Sequence, residues 1–455
     1  MVTLLAAGQA PGVAHTEGND VSQVIHLSPG PHLFIDDYLI AEQQGLTRSV
    51  NHPPRVPNPV VTGPEDKCFQ PYVTVLRDPQ TKRFRIWYGV PENASQTHLA
   101  YMESDDGVNW RRPHRVLQDP AFIQFGASVI DEGPGFADPS KRFKYGWWAE
   151  GGLQVAASAD GLSWELLAPG VVLRHNHDIN CVFRDAARKR YVAVVSSMAT
   201  GDKWQGSRRI PMQSVSDDLI HWKEPWRIIE PDQQDEGETQ FYCMSGLIAR
   251  GDLLIGMLKV LRDDLKVEGA PEGAYGLGYT VLAWSRDGER WQRDREAFLP
   301  RDPQPGAWDH AMTWADCQLM VGDETFIYYG GYAWGHKHER FTQRQIGLAR
   351  MPLDRYVSRD AGDARGALRT PLLTISAARM TVNANVDGGL QARILDASGM
   401  PLPGFDWTDC RVIRGDSVRH PVRWKSDISS LKGRPVRIEF ALRNARVYGF
   451  ELPDG

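Results

Sequence analysis

The chain of 455 residues lacks three features that would each point to a particular class of protein. It has no apolar run approaching the roughly 18 residues of a membrane-spanning helix, which argues against membrane insertion. It has no block of basic residues and a formal net charge of -5, which argues against binding to nucleic acid or to an anionic membrane surface. It also lacks a clear amphipathic helical stretch, so we expect β-structure to dominate.

Residues that favour strands and turns are abundant instead, with 15 Trp, 14 Tyr, 15 Phe, 43 Gly and 30 Pro. A Ser-x-Asp-(Gly/Leu)-x-x-Trp motif occurs four times, at residues 104–110, 158–164, 216–222 and 285–291. Within it, Asp-Gly favours a tight turn, the Ser and Asp side chains cap free backbone N–H groups, and Trp packs the hairpin onto its neighbour. Successive copies begin 54, 58 and 69 residues apart. That spacing suits a four-stranded sheet with its connections, the unit of a β-propeller.

Strand-like segments surround each motif in the same order, and a fifth unit of this kind follows without the motif. The pattern predicts an all-β fold in which residues 60–360 form a five-bladed β-propeller. A ring of blades must be closed between its first and last blades, and the sequence allows two ways of closing it. Either the N-terminal region pairs into the last blade, or aromatic side chains pack between the first and last blades.

The two flanks of the propeller carry different patterns. Residues 1–59 are expected to form an N-terminal extension that packs on the propeller. About the first 20 of them resemble either the remnant of an export signal or a disordered end. A signal remnant would predict a secreted or periplasmic protein. Alternating apolar residues separated by turn signals predict a small antiparallel β-sandwich over residues 371–455.

Cysteine is scarce, with five residues and no spacing typical of a metal site. Four of them, Cys68, Cys181, Cys243 and Cys317, lie on or beside the predicted first strand of a blade. A small apolar side chain suits the crowded centre of a propeller, so we interpret them as buried thiols. We expect no cofactor, and a structural divalent cation in the propeller centre is the minor alternative.

Carboxylates recur just before the predicted first strands, where all blades face one central funnel. Four of the five blades have them at this position: Glu65 and Asp66, then Asp178, then Asp235, Glu236 and Glu238, and finally Asp309. Acidic residues scattered over the surface would not be expected to recur at the same position in successive blades. The funnel is therefore the predicted site of chemistry.

The repeated units, the turn motifs and the predicted sandwich resemble the five-bladed β-propeller glycosidases of glycoside hydrolase families 32, 43 and 68. The resemblance covers about four-fifths of the chain and is distant, and the trailing sandwich is most similar to family 32. It implies that Asp178 of His177-Asp178-Ile179 stabilises the transition state. It also implies that Glu238 of Glu238-Thr239-Gln240 is the general acid.

Blade one departs from that family pattern. The family's aspartate position falls on Gln70, which cannot act as a nucleophile or base, although glycoside hydrolysis usually needs two carboxyl groups. Asp66 or Glu65 could reach in from the preceding loop, Asp309 could replace the missing group, or the site could bind a sugar without cleaving it. We favour Asp66 over Asp309 and expect its carboxylate to point into the funnel opposite Glu238, at a separation that would distinguish retention from inversion.

Other polar and aromatic residues near the funnel are candidates for binding substrate. Hydroxyl contacts are expected from Gln70, His177, Asp309, His310 and Glu236. Aromatic faces stack on sugar rings, but they are equally common in packing between blades; the candidates are Trp308, Trp334, Tyr242 and Trp314. The His residues match no standard metal-site spacing. The Arg208-Arg209 pair is interpreted as solvated, with recognition of an anionic sugar as the alternative.

Together these features predict an enzyme, an exported glycoside hydrolase. It would act on an oligosaccharide or glycoside, as an exo enzyme on a small or terminal furanoside-like unit; the substrate class comes from the resemblance. The alternatives are a non-catalytic glycan-binding propeller, which Gln70 favours, and a lyase or transglycosylase that uses the same funnel. The sequence does not define the sugar, the linkage or the oligomeric state.

Overall fold

The computed structural model describes residues 24–69, 72–336, 338 and 344–453. In these residues nearly all regular structure is β-strand, which confirms the predicted all-β fold. The helical elements are short: an α-helix at Gly63–Asp66 and 3-10 helices at Pro139–Lys141, Trp407–Asp409 and Ile428–Leu431. Within the described ranges no helix is long and apolar enough to cross a membrane. The signal-like start and Gln70 lie outside them.

The first four blades are antiparallel sheets whose strands follow chain order from the axis outward. Blade one comprises Val73–Arg77, Phe84–Asn93, Gln96–Ser104 and Arg115–Val116, and blade two comprises Phe125–Asp131, Phe143–Ala149, Gly152–Ser158 and Glu165–Leu166, with Leu173–Arg174 added. Blade three comprises Asn180–Asp185, Arg190–Gly201, Trp204–Ser216 and Trp226–Arg227, and blade four comprises Gln240–Arg250, Leu253–Lys266, Tyr275–Ser285 and Gln292–Arg293.

Blade five has three strands of its own, Met312–Val321, Glu324–Tyr332 and Arg344–Pro352. Residues 54–61 lie along its outer edge in the place of a fourth strand, with isolated β-bridges at Arg55–Ala349 and Val61–Ile346. The Val56 N–H donates to the Leu348 carbonyl at 2.8 Å, and the Ile346 N–H donates to the Val61 carbonyl at 2.8 Å. The ring is therefore closed by the N-terminal region, the first of the two closures expected from the sequence. The second is present as well, because Phe84 stacks on Phe326 with centroids 5.9 Å apart and Trp110 meets Tyr328 edge-on.

The repeated motif forms the turn between the third and fourth strands of a blade. In blade one, Ser104 Oγ accepts hydrogen bonds from the N–H groups of Asp106 and Gly107, and Asp106 Oδ1 accepts from Val108 and Asn109. Gly107 has a φ of 76°, a left-handed conformation that glycine adopts without strain. Blade three has Leu219 at this position with a φ of 71°, and its side chain is buried in the core between blades two and three.

The first strands of all five blades line an axial cavity of about 370 Å³. Cys181, Cys243 and Cys317 lie there, as expected for thiols of the propeller centre. Burial raises the pKa of Cys181 and of Cys317 to about 12, so both stay protonated at neutral pH.

The remaining strands form one ten-stranded sheet. Its strands are Ile25–His26, Gly30–Leu33, Glu42–Gln44, Thr47–Val50, Val357–Ala361, Gly366–Arg369, Leu373–Thr374, Thr381–Leu395, Ile413–Pro421 and Pro435–Leu452. Both halves of the long strand Pro435–Leu452 contribute side chains to one core, so the sheet folds over on itself.

This terminal sheet includes more of the chain than residues 371–455. The N-terminal strand Gly30–Leu33 pairs with residues 449–452, and Thr47–Val50 pairs with Val357–Ala361. Leu33, Ile35 and Val50 also pack against blades four and five. The N-terminal extension thus hydrogen-bonds into the terminal sheet through residues 30–50 and to blade five through residues 54–61.

Candidate functional site

Two tyrosines from opposite blades form what we call the funnel floor, Tyr72 of blade one and Tyr242 of blade four. Their hydroxyl groups share a hydrogen bond, and burial raises the pKa of both, so both stay neutral. The Tyr242 ring stacks on Trp314 with centroids 4.6 Å apart. Because Tyr242 and Trp314 are almost fully buried, they pack the floor and do not present an open platform to a sugar.

Asp178 lies just above this floor, two residues before the first strand of blade three. Its side chain is 30% exposed, and its Oδ1 lies 2.8 Å from Nδ1 of His177. Burial alone would raise the pKa of Asp178, but the contact with His177 and the charges of Arg209 and His336 outweigh it and lower the pKa. Asp178 is therefore an ionised carboxylate in the funnel, next to the two tyrosines of its floor.

The sequence suggested that the Arg208-Arg209 pair is solvated, but the structure contradicts this. Arg208 is buried, and Arg209 is held in the funnel wall by three side chains. Its Nε donates to Nε2 of His177 at 3.1 Å, and its Nη1 donates to Oε1 of Gln240 at 2.8 Å. The same Nη1 lies 3.2 Å from Oδ2 of Asp263. The guanidinium thus ties blade three to blade four beside Asp178.

Asp263 in turn contacts His336, which follows the second strand of blade five. The Nδ1 of His336 lies 2.9 Å from Oδ1 of Asp263, and the ring meets Tyr242 edge-on. Burial lowers the pKa of His336 to about 4, against the pull of Asp263, so the imidazole is neutral at pH 7. We call His336, Asp263, Arg209, His177 and Asp178 the funnel chain.

Buried polar atoms without a hydrogen-bond partner cluster beside Asp178. They are Nε2 of His175, Nδ1 of His177, Oδ1 of Asp178, both amide atoms of Asn180 and Oγ of Ser196; the His177 and Asp178 atoms lie 2.8 Å apart but are not aligned as a hydrogen bond. Such atoms are rare in native proteins because each carries a desolvation cost, and they are often found at functional sites. Their concentration at the entrance of blade three marks this part of the funnel as the candidate site.

Glu238 lies farther out than Asp178, on the loop that leads into blade four. Its side chain is 59% exposed, and its Oε2 lies 3.5 Å from Nη1 of Arg208. Glu236 is still more exposed, with an Arg262 nitrogen 3.9 Å from its carboxylate. Both acids therefore belong to the rim of the funnel.

The structure contradicts the expected placement of Asp66. Its side chain is only 1% exposed, and both of its oxygens accept from Arg112, at 2.9 and 2.8 Å. Oδ2 also accepts from the Thr62 N–H at 2.9 Å. A carboxylate engaged by three donors is not available as a base in the funnel. Its neighbour Glu65 points outward, with Oε2 3.2 Å from Arg112.

Asp309 is also held by neighbouring side chains. Its Oδ2 accepts from Arg55 at 2.8 Å and from Tyr329 at 2.9 Å. Burial raises the pKa of Asp309 although Arg55 opposes this effect. Because Arg55 belongs to the closing segment, this contact fixes the ring closure. Asp309 therefore has a structural partner that the sequence did not reveal.

The other predicted binding residues lie apart from Asp178 or are packed. His310 is buried with Nδ1 2.7 Å from the Asp302 carbonyl, and Trp308 stacks on Tyr329 with centroids 5.5 Å apart. Trp334 is partly exposed beside Gly306. Of the predicted binding residues that the structure describes, His177 is the one in contact with Asp178.

Metal-ligating side chains do not converge at any one place in the part of the chain that the structure describes: no group of three His, Cys, Asp or Glu could hold an ion there. His175, His177 and His336 instead contact backbone or side-chain groups of the protein. One nitrogen atom of each of these imidazoles thus belongs to the hydrogen-bonding network of the funnel.

No family model and no curated protein matches the chain. Among solved structures, it is similar to a family 32 β-fructofuranosidase from Bombyx mori, with 10% identity and a TM-score of 0.43 over 87% of this chain and 94% of the other. It is similar to a β-1,2-mannobiose phosphorylase from Listeria innocua, with 12% identity and a TM-score of 0.45 over 66% and 96%. A third is an N-acetylgalactosamine deacetylase from F. plautii, with 16% identity and a TM-score of 0.45 over 68% and 95%. These values are too low to transfer a function from any of them.

Proposed function

We propose that this protein is a glycoside hydrolase whose active site is the funnel above Tyr72 and Tyr242. The observation that carries the proposal is Asp178, a partly exposed carboxylate whose lowered pKa keeps it ionised. An ionised carboxylate at this place can stabilise the positive charge of an oxocarbenium-like transition state. The unpartnered polar atoms of His175, Asn180 and Ser196 surround it.

Glu238 supplies the second carboxyl group in this proposal, as the general acid. Its loop position and exposure leave the side chain room to move over a bound sugar, and loop motions of this kind complete many active sites. The buried floor closes the funnel beneath Asp178. A funnel closed beneath the site suits the end of a glycan better than its middle, so we propose exo action on a terminal, furanoside-like unit of an oligosaccharide.

Asp178→Asn tests the central carboxylate. We expect kcat on a cleaved glycoside to fall by about 10³-fold, the size of effect seen when one electrostatic stabiliser is removed. The measurement is sugar release from a panel of aryl glycosides and oligosaccharides. Asp217→Asn, the same change at an exposed position of blade three, is the matched control and should retain activity. Equal activity of the two variants would contradict the proposal.

Glu238→Gln tests the acid. Its kcat should fall by roughly 10²–10⁴-fold on substrates with poor leaving groups and much less on activated aryl glycosides, because a good leaving group needs little protonation. Glu236→Gln, a change on the same loop, is the control. Equal losses on both substrate types would assign Glu238 to binding.

A second candidate function, non-catalytic glycan binding, is favoured by one specific observation. Asp66 and Asp309, the two carboxylates expected to replace the group missing at Gln70, are both engaged by arginines. If the wild-type protein binds glycans in a calorimetric titration but releases no sugar from any of them, this second function is the correct one.

A further inference from the structure

The funnel chain gives His177 one defined arrangement of its ring proton. An arginine side chain has only donors, so the His177 Nε2 that faces Arg209 Nε at 3.1 Å must be the unprotonated, accepting nitrogen. In the neutral ring the proton is then on Nδ1, the nitrogen that lies 2.8 Å from Oδ1 of Asp178. The opposite tautomer would turn a lone pair toward the carboxylate.

We propose that Arg209 is a positioning residue, which fixes His177 in the Nδ1–H tautomer and thereby places the protonated ring nitrogen 2.8 Å from Oδ1 of Asp178, close enough for an electrostatic interaction although the two groups are not aligned as a hydrogen bond. The consequence for catalysis rests on the proposed function, whereas the tautomer itself follows from the contacts alone. No sequence pattern indicates this role of Arg209, because Arg209 acts on Asp178 only through a third residue, His177.

Arg209 is well suited to this task because its own position is fixed. Oε1 of Gln240 accepts from both Nη1 and the backbone N–H of Arg209, at 2.8 and 3.3 Å. Asp263 pairs with the same Nη1, and the guanidinium lies 5.3 Å from the centroid of the Tyr242 ring. Lysine would keep the charge but lose the planar set of donors that reaches several partners at once.

The other charged or titratable groups that face Asp178 come from four blades. They are His175 and His177 of blade three, Tyr72 of blade one, Tyr242 of blade four and His336 beyond the second strand of blade five. Burial lowers the pKa of His175 and of His336 to about 4. Burial raises the pKa of both tyrosines. Arg209 adds a permanent positive charge beside these groups.

The test uses the full chain labelled with ¹⁵N in its 13 histidines. Long-range ¹H–¹⁵N spectra report which ring nitrogen carries the proton, and His177→Gln assigns the His177 signals. We expect the Nδ1–H tautomer in the wild type at pH 7. We expect a mixture of tautomers in Arg209→Lys and in Arg209→Gln; the Lys variant covers the case in which the Gln variant fails to fold.

Arg208→Gln is the matched control, since Arg208 is the adjacent residue and contacts Glu238 instead of His177. It should leave the His177 tautomer unchanged. A second measurement is the pKa of Asp178, from the ¹³C carboxyl shift or from the acid limb of kcat/KM. It should rise in Arg209→Gln, which removes a positive charge beside the carboxylate, and stay constant in Arg208→Gln.

Two results would overturn the proposal: an Nε2–H tautomer of His177 in the wild type, or equal shifts in the Arg208 and Arg209 variants. A purely structural role for Arg209 would lower thermal stability without moving the tautomer. If the wild-type protein cleaves no glycoside, the proposed function fails, but the spectra still decide the role of Arg209.

Discussion

At the scale of single residues, the surroundings of a carboxylate decide what it can do. Asp66 and Asp178 both precede the first strand of a blade, yet one is enclosed by Arg112 and the other is open to the funnel. Breaking a buried ion pair leaves a charge without compensation, and the cost is several kcal/mol when both partners are fully buried. Arg112 is partly exposed, which reduces this cost.

We therefore expect Asp66→Asn to lower the free energy of unfolding by about 2 kcal/mol, measured by urea denaturation. Glu65→Gln is the matched control. Glu65 is exposed and contacts the same arginine, so its loss should cost less than about 0.5 kcal/mol. Equal destabilisation by the two changes would contradict this prediction. Loss of sugar release with unchanged stability in Asp66→Asn would show that Asp66 belongs to the active site after all.

At the scale of elements, the turn of blade one depends on its glycine for two reasons, although blade three tolerates Leu219 at the same position. Gly107 has a positive φ, and an added Cβ would lie 2.6 Å from the hydroxyl oxygen of Tyr328. That hydroxyl donates to the Gly107 carbonyl, so blade one and blade five meet at this turn. Gly133, in a loop of blade two, also has a positive φ but nothing within 4 Å of an added Cβ.

Gly107→Ala should therefore cost more than Gly133→Ala. The second change adds only backbone strain, about 1 kcal/mol, whereas the first adds a clash worth a further 1–3 kcal/mol, roughly. Thermal unfolding of the two variants against the wild type measures the difference. Equal costs would mean that the Tyr328 contact yields easily and does not hold the two blades together.

The distance along the chain between contacting residues explains which features could be predicted from the sequence. The turns and strand order of the blades were predicted because Ser, Asp, Gly and Trp act within seven residues of each other. Arg209 was misinterpreted because its partners His177, Gln240 and Asp263 come from distant positions in the chain. Burial of Asp66 by Arg112, 46 residues away, was hidden for the same reason.

At the scale of the whole molecule, three histidines buried in different parts of the structure predict sensitivity to acid. Burial lowers the pKa of His32, in the terminal sheet, and of His175 and His336, in the propeller, to about 4. Each would titrate near its ordinary value of about 6.5 in the unfolded chain. Between these two values the unfolded state binds more protons, so the free energy of unfolding decreases as the pH falls.

We expect urea unfolding to show this decrease between about pH 6.5 and about pH 4, with an uptake of up to three protons. His32→Gln should reduce the uptake by one and leave the funnel intact. His221→Gln, at a highly exposed histidine, is the control and should leave the slope unchanged. A free energy of unfolding that stays constant over this range would contradict the prediction.

The closing strand of the ring has a consequence for how the protein is made. Residues 54–61 leave the ribosome early, but their partners Ile346 and Leu348 follow only about 290 residues later. At roughly 5–20 residues per second, that interval lasts about 15–60 s. Throughout it the nascent chain carries an unpaired strand and an incomplete ring, so translation speed and chaperones that shield exposed strand edges should govern its yield in the cell.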